Sequence, residues 1–416
     1  PHVSQQPIPP PMQRPPQQPR DRERGLRITG WILYALGMLG GGLLLILVFL
    51  LPPLFGDDAA TELTAMAIGA VLALPPLFLY LWVPWFVDRY DPEPWWALLL
   101  CLSWGAIAAC GFSALINTAV HSFGAAVGGR GFGEVLGACV SAPLTEEFFK
   151  ALAIAGIYFF VRREFDGVVD GVIYATFAAL GFAAFENIIY YGNAARGELE
   201  GGKEGALAVT FFMRGILAPW GHPLYTSMTG LGFGIARETD KTWLKWLAPI
   251  GGYFAAAFLH CVWNSAATLS GMLVMIMLPL WFLFVFCFFG LMIWLVARKG
   301  KIIREHLKDE VLMGFLTFQE LEMISSPFGR WKATFSWGGA TGRKFIDVAT
   351  RLSLSKWHTH RALRNRKLTV SADMVVPLRQ ELTQLRADVS RKLGRAVPQP
   401  VPYQPGAPLP AWFKMK

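Results

Sequence analysis

Residues 141–161 read SAPLTEEFFKALAIAGIYFFV and place two adjacent carboxylates inside a long apolar run. That run begins near Val135 and continues to Val161. A charged group at the centre of a bilayer costs on the order of 3 kcal/mol or more. Such groups normally pair with one another or line a wet cavity. Glu146 and Glu147 therefore indicate a polar site within a membrane-spanning helix.

The composition of the whole chain is typical of a multi-spanning membrane protein. Of its 416 residues, 54% are hydrophobic and 16% are charged, whereas soluble globular chains carry about 25% charged residues. This balance argues against a soluble enzyme. The apolar runs predict an all-α fold, a polytopic bundle of about eight transmembrane helices. The predicted spans lie near residues 28–54, 62–87, 95–120, 133–160, 169–192, 207–236, 243–270 and 272–297.

Three regions are predicted along the chain. Residues 1–27 are rich in Pro, Gln and Arg and should be a disordered cytoplasmic N-terminus. Residues 28–297 should form the transmembrane domain, and residues 298–416 a cytoplasmic tail with a helix at 376–394. Basic residues cluster before the first span and after the fourth, sixth and eighth spans. By the positive-inside rule, both termini are cytoplasmic in a multi-pass protein of the cell membrane.

The predicted tail is strongly basic. Residues 298–416 contain 22 Lys and Arg against nine Asp and Glu. A small basic helical tail beside a membrane is expected to face anionic lipid headgroups. No nucleic-acid partner is expected, because no sequence signature of a nucleic-acid-binding fold is present.

Spans four to seven carry a set of polar residues at depth, whereas the other predicted spans carry almost none. The set consists of Glu146, Glu147, Lys150, Asp170, Glu186, Asn187, Arg214, His222, His260 and Asn264. Their clustering in four consecutive spans predicts that most of them converge on one internal site. Two members have simpler explanations. Asp170 lies near a helix start, where the helix dipole favours an anion, and Arg214 can extend towards the membrane interface.

Two histidines and a carboxylate form a common ligand set for catalytic zinc, which can supply hydroxide at neutral pH. His222 and His260 are the expected ligands with Glu186 as the third, and Glu146 or Glu147 is the expected base. Lys150 or Asn264 can stabilise the oxyanion. A metal-free alternative stays open. A glutamate and a histidine then activate the water, while the other histidine and Asn264 hold the oxyanion.

Several segments resemble the PrsW family of intramembrane proteases. They are DRYDPEPW at 88–95, EExxK at 146–150, DGVIYATFAALGFAAFENIIY at 170–190, GHPL at 221–224 and HCVWN at 260–264. The ordered set, with one element in each of four successive spans, carries the resemblance, which extends over about residues 80–297. The PrsW family is related to the CAAX-prenyl-protease and bacteriocin-processing group.

The resemblance implies a membrane peptidase that cleaves a single-span membrane protein such as an anti-sigma factor. It implies that Glu146 and Glu147 are the catalytic glutamate pair, and that Glu186, His222 and His260 are the other polar motif positions. Asn264 matches the Asn-like position of the related group. Zinc is expected, although a glutamate mechanism is argued for the related prenyl protease. A proton-coupled transporter and a non-catalytic membrane scaffold are the alternative functions.

Overall fold

The computed structural model describes residues 20–55, 58–202, 204–364, 370–406, 409, 410 and 413. Within these residues the chain is helical and contains no strand, which confirms the all-α expectation. Residues 1–19 of the expected disordered N-terminus lie outside the described residues. Residues 20–27, expected to be disordered as well, form the first turns of a helix, because the charged residues there continue the helix of the apolar span.

Within the described residues, twelve helices build the membrane part of the molecule. They are α1 Arg20–Leu45, α2 Leu51–Phe55, α3 Ala59–Val87, α4 Trp95–Ser103, α5 Cys110–Gly128, α6 Arg130–Val135, α7 Ala142–Phe160, α8 Val168–Leu199, α9 Ala206–Phe211, α10 Gly221–Glu238, α11 Thr242–Leu269 and α12 Gly271–Leu312. Short π-helical segments join α1 to α2, α4 to α5 and α6 to α7, and another follows α9. Such segments often occur at functional sites.

Six of the described helical stretches are long and apolar enough to cross a membrane. They cover Arg24–Leu50, Ala59–Tyr90, Trp95–Gly128, Val168–Leu199, Thr242–Leu269 and Met272–Leu312. The predicted fourth span corresponds to the helical stretch 130–160, which carries the charged residues of the EExxK motif. The predicted sixth span is interrupted between Leu217 and Gly221. The multi-spanning helical architecture is thus confirmed.

Helix α8 is the central helix of the bundle. In its most apolar stretch, 94% of the residues are buried inside the protein. Close helix approaches explain this burial, because Gly171 of α8 faces Gly230 of α10. A Cβ atom added to either glycine would lie 2.2 Å from the other's carbonyl oxygen. Small residues allow transmembrane helices to approach to backbone contact, and here they bring the start of α8 against the C-terminal half of α10.

The described part of the C-terminal region forms four further helices. They are α13 Phe318–Ser325, α14 Pro327–Ser336, α15 Ala340–Arg364 and α16 Val375–Leu393. Of these, α13 and α15 pack on the extended α12, while α14 and α16 pack on α15. Helix α12 runs without a break past residue 297, where the transmembrane domain was predicted to end. Buried ion pairs join the tail helices. Glu310 accepts from Lys356 at 2.6 Å and from Arg379 at 2.7 Å, and Arg386 pairs with Glu320 at 2.9 Å.

The tail docks on the loop between α3 and α4. Buried Arg330 of α14 donates to the carbonyl oxygen of Arg89 at 3.0 Å, and the Tyr90 hydroxyl donates to the Ser325 carbonyl at 3.0 Å. Burial lowers the pKa of Arg330 to about 10. In the same loop, Glu93 is partly buried and accepts a hydrogen bond from the Tyr174 hydroxyl. Burial, with the nearby carboxylates, raises the pKa of Glu93 well above its ordinary value.

Candidate active site

Four helices bring the predicted polar residues to one place. Helix α7 carries Glu146, Glu147 and Lys150, and α8 carries Glu186. His222 lies in the first turn of α10, directly after the helix is interrupted at residues 218–220. That interruption contains Pro219, and proline interrupts a helix because it lacks the backbone N–H. Helix α11 supplies His260 and Asn264, which are four residues apart and share a face.

Glu147 is fully buried and is held by three donors. Lys150 Nζ lies 2.6 Å from its Oε1, and Thr226 Oγ1 donates to its Oε2 at 2.7 Å. His260 Nδ1 lies 3.1 Å from Oε1. A buried carboxylate needs such partners, because an unpaired charge in low dielectric is costly. Glu147 thereby fixes the orientation of the His260 ring.

Glu146 keeps one carboxylate oxygen without a hydrogen-bond partner. Its Oε1 accepts from Asn117 Nδ2 at 3.4 Å, whereas its buried Oε2 has no partner. That Oε2 lies 3.9 Å from His260 Nε2. Glu146, His222 and His260 can each direct one ligand atom so that the three atoms lie within 4.8 Å of one another. This donor set of two imidazoles and one carboxylate suits zinc, and an unpartnered buried oxygen fits a missing positive partner.

His222 connects the lysine to a second carboxylate. Its Nδ1 lies 3.1 Å from Lys150 Nζ, and its Nε2 lies 2.8 Å from Glu186 Oε2. An ammonium group only donates, so Nδ1 accepts and Nε2 carries the proton that it shares with Glu186. To bind a metal ion, His222 would give up its contact with either Lys150 or Glu186, because the metal needs one of the two ring nitrogens. Its ring meets the His260 ring edge-on, at a centroid distance of 5.1 Å.

Arg214 has a larger role than the sequence indicated. The structure pairs its guanidinium with Glu186 and directs its Nε to Asn187 Oδ1 at 2.8 Å. The simple expectation that Arg214 extends to the membrane interface is therefore wrong. The pairing places Arg214 inside the polar site, because its partners Glu186 and Asn187 are adjacent residues on the inner face of α8.

A cavity of about 210 Å³ opens beside these residues. Its lining includes Glu186, Arg214, His222, His260 and Asn264. Asn264 also donates to the Ala138 carbonyl oxygen at 3.0 Å, which ties α11 to the π-helical segment before α7. The cavity has room for several water molecules, since one water occupies about 30 Å³ of liquid.

Most of the predicted residues meet, but three contributors were not foreseen. Asn117, Thr226 and Tyr225 contact Glu146, Glu147 and His260, with the Tyr225 ring stacked on His260 at 5.1 Å. A neutral Asn, Thr or Tyr in a membrane helix gives a weak signal because it costs little when buried. Asp170 stands apart from the site, as expected, and accepts from the backbone N–H groups of Asp166 and Gly167 at the start of α8.

The fold and the site together define a multi-pass helical membrane protein with a buried, metal-capable group of glutamates and histidines. Residues 93–295 match the family model described as PrsW family intramembrane metalloprotease. This segment, which contains the whole polar site, is similar to the PrsW family. No solved structure matches the chain significantly.

Three curated relatives carry the name Protease PrsW. The protein of Geobacillus kaustophilus is 32% identical over 151 residues, which cover 31% of this chain and 60% of the relative. The protein of Halalkalibacterium halodurans is 32% identical over 163 residues, covering 38% of this chain and 63% of the relative. That of Oceanobacillus iheyensis is 27% identical over 154 residues, covering 37% and 60%. The chain therefore spans about three fifths of the length of these relatives.

Proposed function

We propose that this protein is an intramembrane endopeptidase that hydrolyses a peptide bond of a membrane-associated protein. One observation carries the proposal. Glu146, His222 and His260 approach within 4.8 Å in a buried setting, beside a cavity that can hold water. The name of the matching family, a metalloprotease, agrees with this chemistry.

Zinc is the proposed cofactor, held by Glu146, His222 and His260. Bound zinc would lower the pKa of a ligated water towards neutrality and so supply the nucleophile. The unpartnered Oε2 of Glu146 and its 3.9 Å distance from His260 Nε2 support this ligand set. It differs from the sequence expectation, in which Glu186 was the third ligand and Glu146 or Glu147 the base.

Glu186, Glu147 and Arg214 have proposed roles in proton transfer, histidine orientation and stabilisation of the transition state. Glu186 lines the cavity and is the proposed acceptor for the proton of the attacking water. Glu147 holds His260 in place through Nδ1, as carboxylates commonly orient metal-binding histidines. Arg214 is the proposed donor to the carbonyl oxygen that becomes negative in the transition state. Its guanidinium has five N–H groups and borders the cavity.

A metal-free glutamate mechanism uses the same geometry and is the alternative chemistry. The free Oε2 of Glu146 would then accept the proton of the water directly. Asn264 and His222, which line the cavity, would face the oxyanion. Metal analysis separates the two mechanisms, because only one of them loses activity when a chelator removes the metal.

The proposed substrate is a single-span membrane protein of the anti-sigma-factor kind, cleaved by a multi-pass enzyme of the cell membrane with both termini in the cytoplasm. The burial of the site among membrane helices supports a substrate that reaches it from within the bilayer. The cluster of basic residues in the tail supports a cytoplasmic position beside anionic headgroups.

The test uses the purified full chain in liposomes with a single-span test protein that carries a fluorophore and a quencher on opposite sides of its helix. Cleavage and about one zinc per chain are expected for the wild type, while His222→Ala and His260→Ala should lose both. Glu134→Gln, which changes an exposed carboxylate of α6, is the matched control and should behave as wild type. If cleavage persists without metal, the proposed peptidase activity stands but zinc is not its cofactor. If zinc-loaded protein cleaves no single-span test protein, the proposed peptidase activity is wrong.

A further inference from the structure

Helix α14 of the C-terminal tail exposes a row of large aromatic side chains. Phe328 is 70% exposed, Trp331 52% and Phe335 69%. At about 100° per residue, the three side chains fall within an arc of about 60°. Their rings touch in sequence, with centroids 5.9 Å and 5.2 Å apart. We call these three residues the aromatic face of α14.

The opposite side of α14 is fixed to the membrane part of the molecule. Arg330 and Ala333 are buried on that side. The guanidinium of Arg330 donates to the Arg89 carbonyl oxygen at 3.0 Å and lies 5.0 Å from the centre of the Tyr90 ring. Arg89 and Tyr90 directly follow α3, so α14 is held at the very end of a membrane-spanning helix.

Exposed aromatic residues also lie on the ends of the two helices that flank this loop. Trp82, Trp85 and Phe86 are exposed in the last turns of α3, and Trp95 is 73% exposed at the start of α4. Trp and other aromatic residues are enriched where membrane proteins cross the boundary between lipid and water. Helix α14 lies beside this belt, because Arg330 joins the two through Arg89, and the aromatic face is turned outward from this contact.

We propose that α14 lies in the interface of the bilayer, with its aromatic face inserted among the lipid headgroups and the first acyl carbons. An amphipathic helix with Trp and Phe on one face and basic residues beside them has this preference. Exposed Lys332 lies on the same side as the aromatic face and is placed to meet lipid phosphates. The tail is thus anchored to the membrane by aromatic insertion, independently of the proposed peptidase activity.

Spin labels on the full chain in nanodiscs test this placement. Cys261→Ser and Cys287→Ser remove the two cysteines that are not buried. A nitroxide is attached at Phe335→Cys, at Phe328→Cys or, as the control, at Gln384→Cys on the exposed side of α16. Oxygen concentrates in lipid and a nickel chelate in water. Labels at 335 and 328 should be relaxed more by oxygen, and the label at 384 more by nickel, with or without anionic lipid.

Three results would overturn the proposal. The first is a nickel preference at both 335 and 328 equal to that at 384. The second is an oxygen preference that appears only with anionic lipid, which would assign the contact to Lys332 and headgroup charge. The third is dipolar broadening at 335 that disappears when labelled protein is diluted with unlabelled protein, since a second copy would then cover the aromatic face.

Discussion

Lys150 Nζ lies 2.6 Å from Glu147 Oε1, and the side chains of both residues are completely buried. The pair lies one helical turn apart on α7, so the spacing in EExxK permits the contact. Glu147 also accepts from Thr226 and contacts His260. The lysine therefore balances the charge of a carboxylate that positions a histidine.

Breaking this pair from one side should be strongly destabilising. Lys150→Met leaves the Glu147 carboxylate buried without its cation and should lower the free energy of unfolding by about 3–5 kcal/mol. The double substitution Glu147→Gln/Lys150→Met removes both charges and should lower it by much less than the sum of the two single changes. Unfolding in mixed micelles measures the stability of Lys150→Met, Glu147→Gln and the double variant. Additive losses would show that the two side chains are not coupled.

Glu146 and Glu186, two of the carboxylates beside the histidines, should differ in their effect on bound metal. Glu146→Gln removes a proposed ligand and should abolish zinc binding together with activity. Glu186→Gln changes a partner of His222 and should weaken zinc by about 10–100-fold, while removing the proposed proton acceptor and hence turnover. Elemental analysis at saturating zinc distinguishes them. If Glu146→Gln retains zinc and Glu186→Gln does not, the roles are those expected from the sequence.

Arg214 should act in turnover and not in metal binding. Loss of a single oxyanion donor lowers kcat by about 10²–10³. Arg214→Lys keeps a charge beside Glu186 but lacks the planar fork, so cleavage should fall while bound zinc and stability stay near those of the wild type. Single-turnover cleavage with parallel zinc analysis checks this. Unchanged cleavage by Arg214→Lys would exclude the arginine from the transition state.

The sequence was a good guide to the residue types of the site and a poor guide to their pairing. Glu146, Glu147, His222 and His260 stand out because ionisable groups are rare in membrane helices. Whether Glu146 or Glu186 completes the metal-binding set with the histidines depends on how the helices are rotated and on Arg214. In the structure Arg214 forms an ion pair with Glu186, so the Glu186 carboxylate already has a cationic partner. The folded tail was underestimated for a related reason. Its stability rests on long-range pairs such as Arg386–Glu320, which no local pattern reveals.

Glu93 should make stability depend on pH. Burial raises its pKa in the folded protein, so the folded state holds a proton that the unfolded chain releases at lower pH. The stability contribution is therefore fully present below the unfolded pKa and is lost as pH rises towards the folded pKa. Relative to Glu93→Gln, the wild type should lose stability as pH rises above about 4.3, the ordinary pKa of a glutamate, towards the raised pKa of Glu93 in the folded protein. Thermal unfolding across this range measures the difference, and parallel curves for the two proteins would contradict it.

The close approach of α8 and α10 predicts that alanine at Gly230 lowers stability, whereas alanine at an uncrowded glycine of α11 raises it. Gly230→Ala would place a Cβ 2.2 Å from the Gly171 carbonyl oxygen, and neither backbone can yield without separating the helices. Overpacking of this kind costs about 1–3 kcal/mol. Because α10 carries His222, the change should also reduce cleavage and zinc binding. Gly251→Ala in α11 is the matched control, since nothing lies within 4 Å of its added Cβ. That variant should gain about 0.5–1 kcal/mol from the lower helix propensity of glycine. Thermal unfolding in detergent compares the two, and equal midpoints would show that the helices do not meet at Gly230.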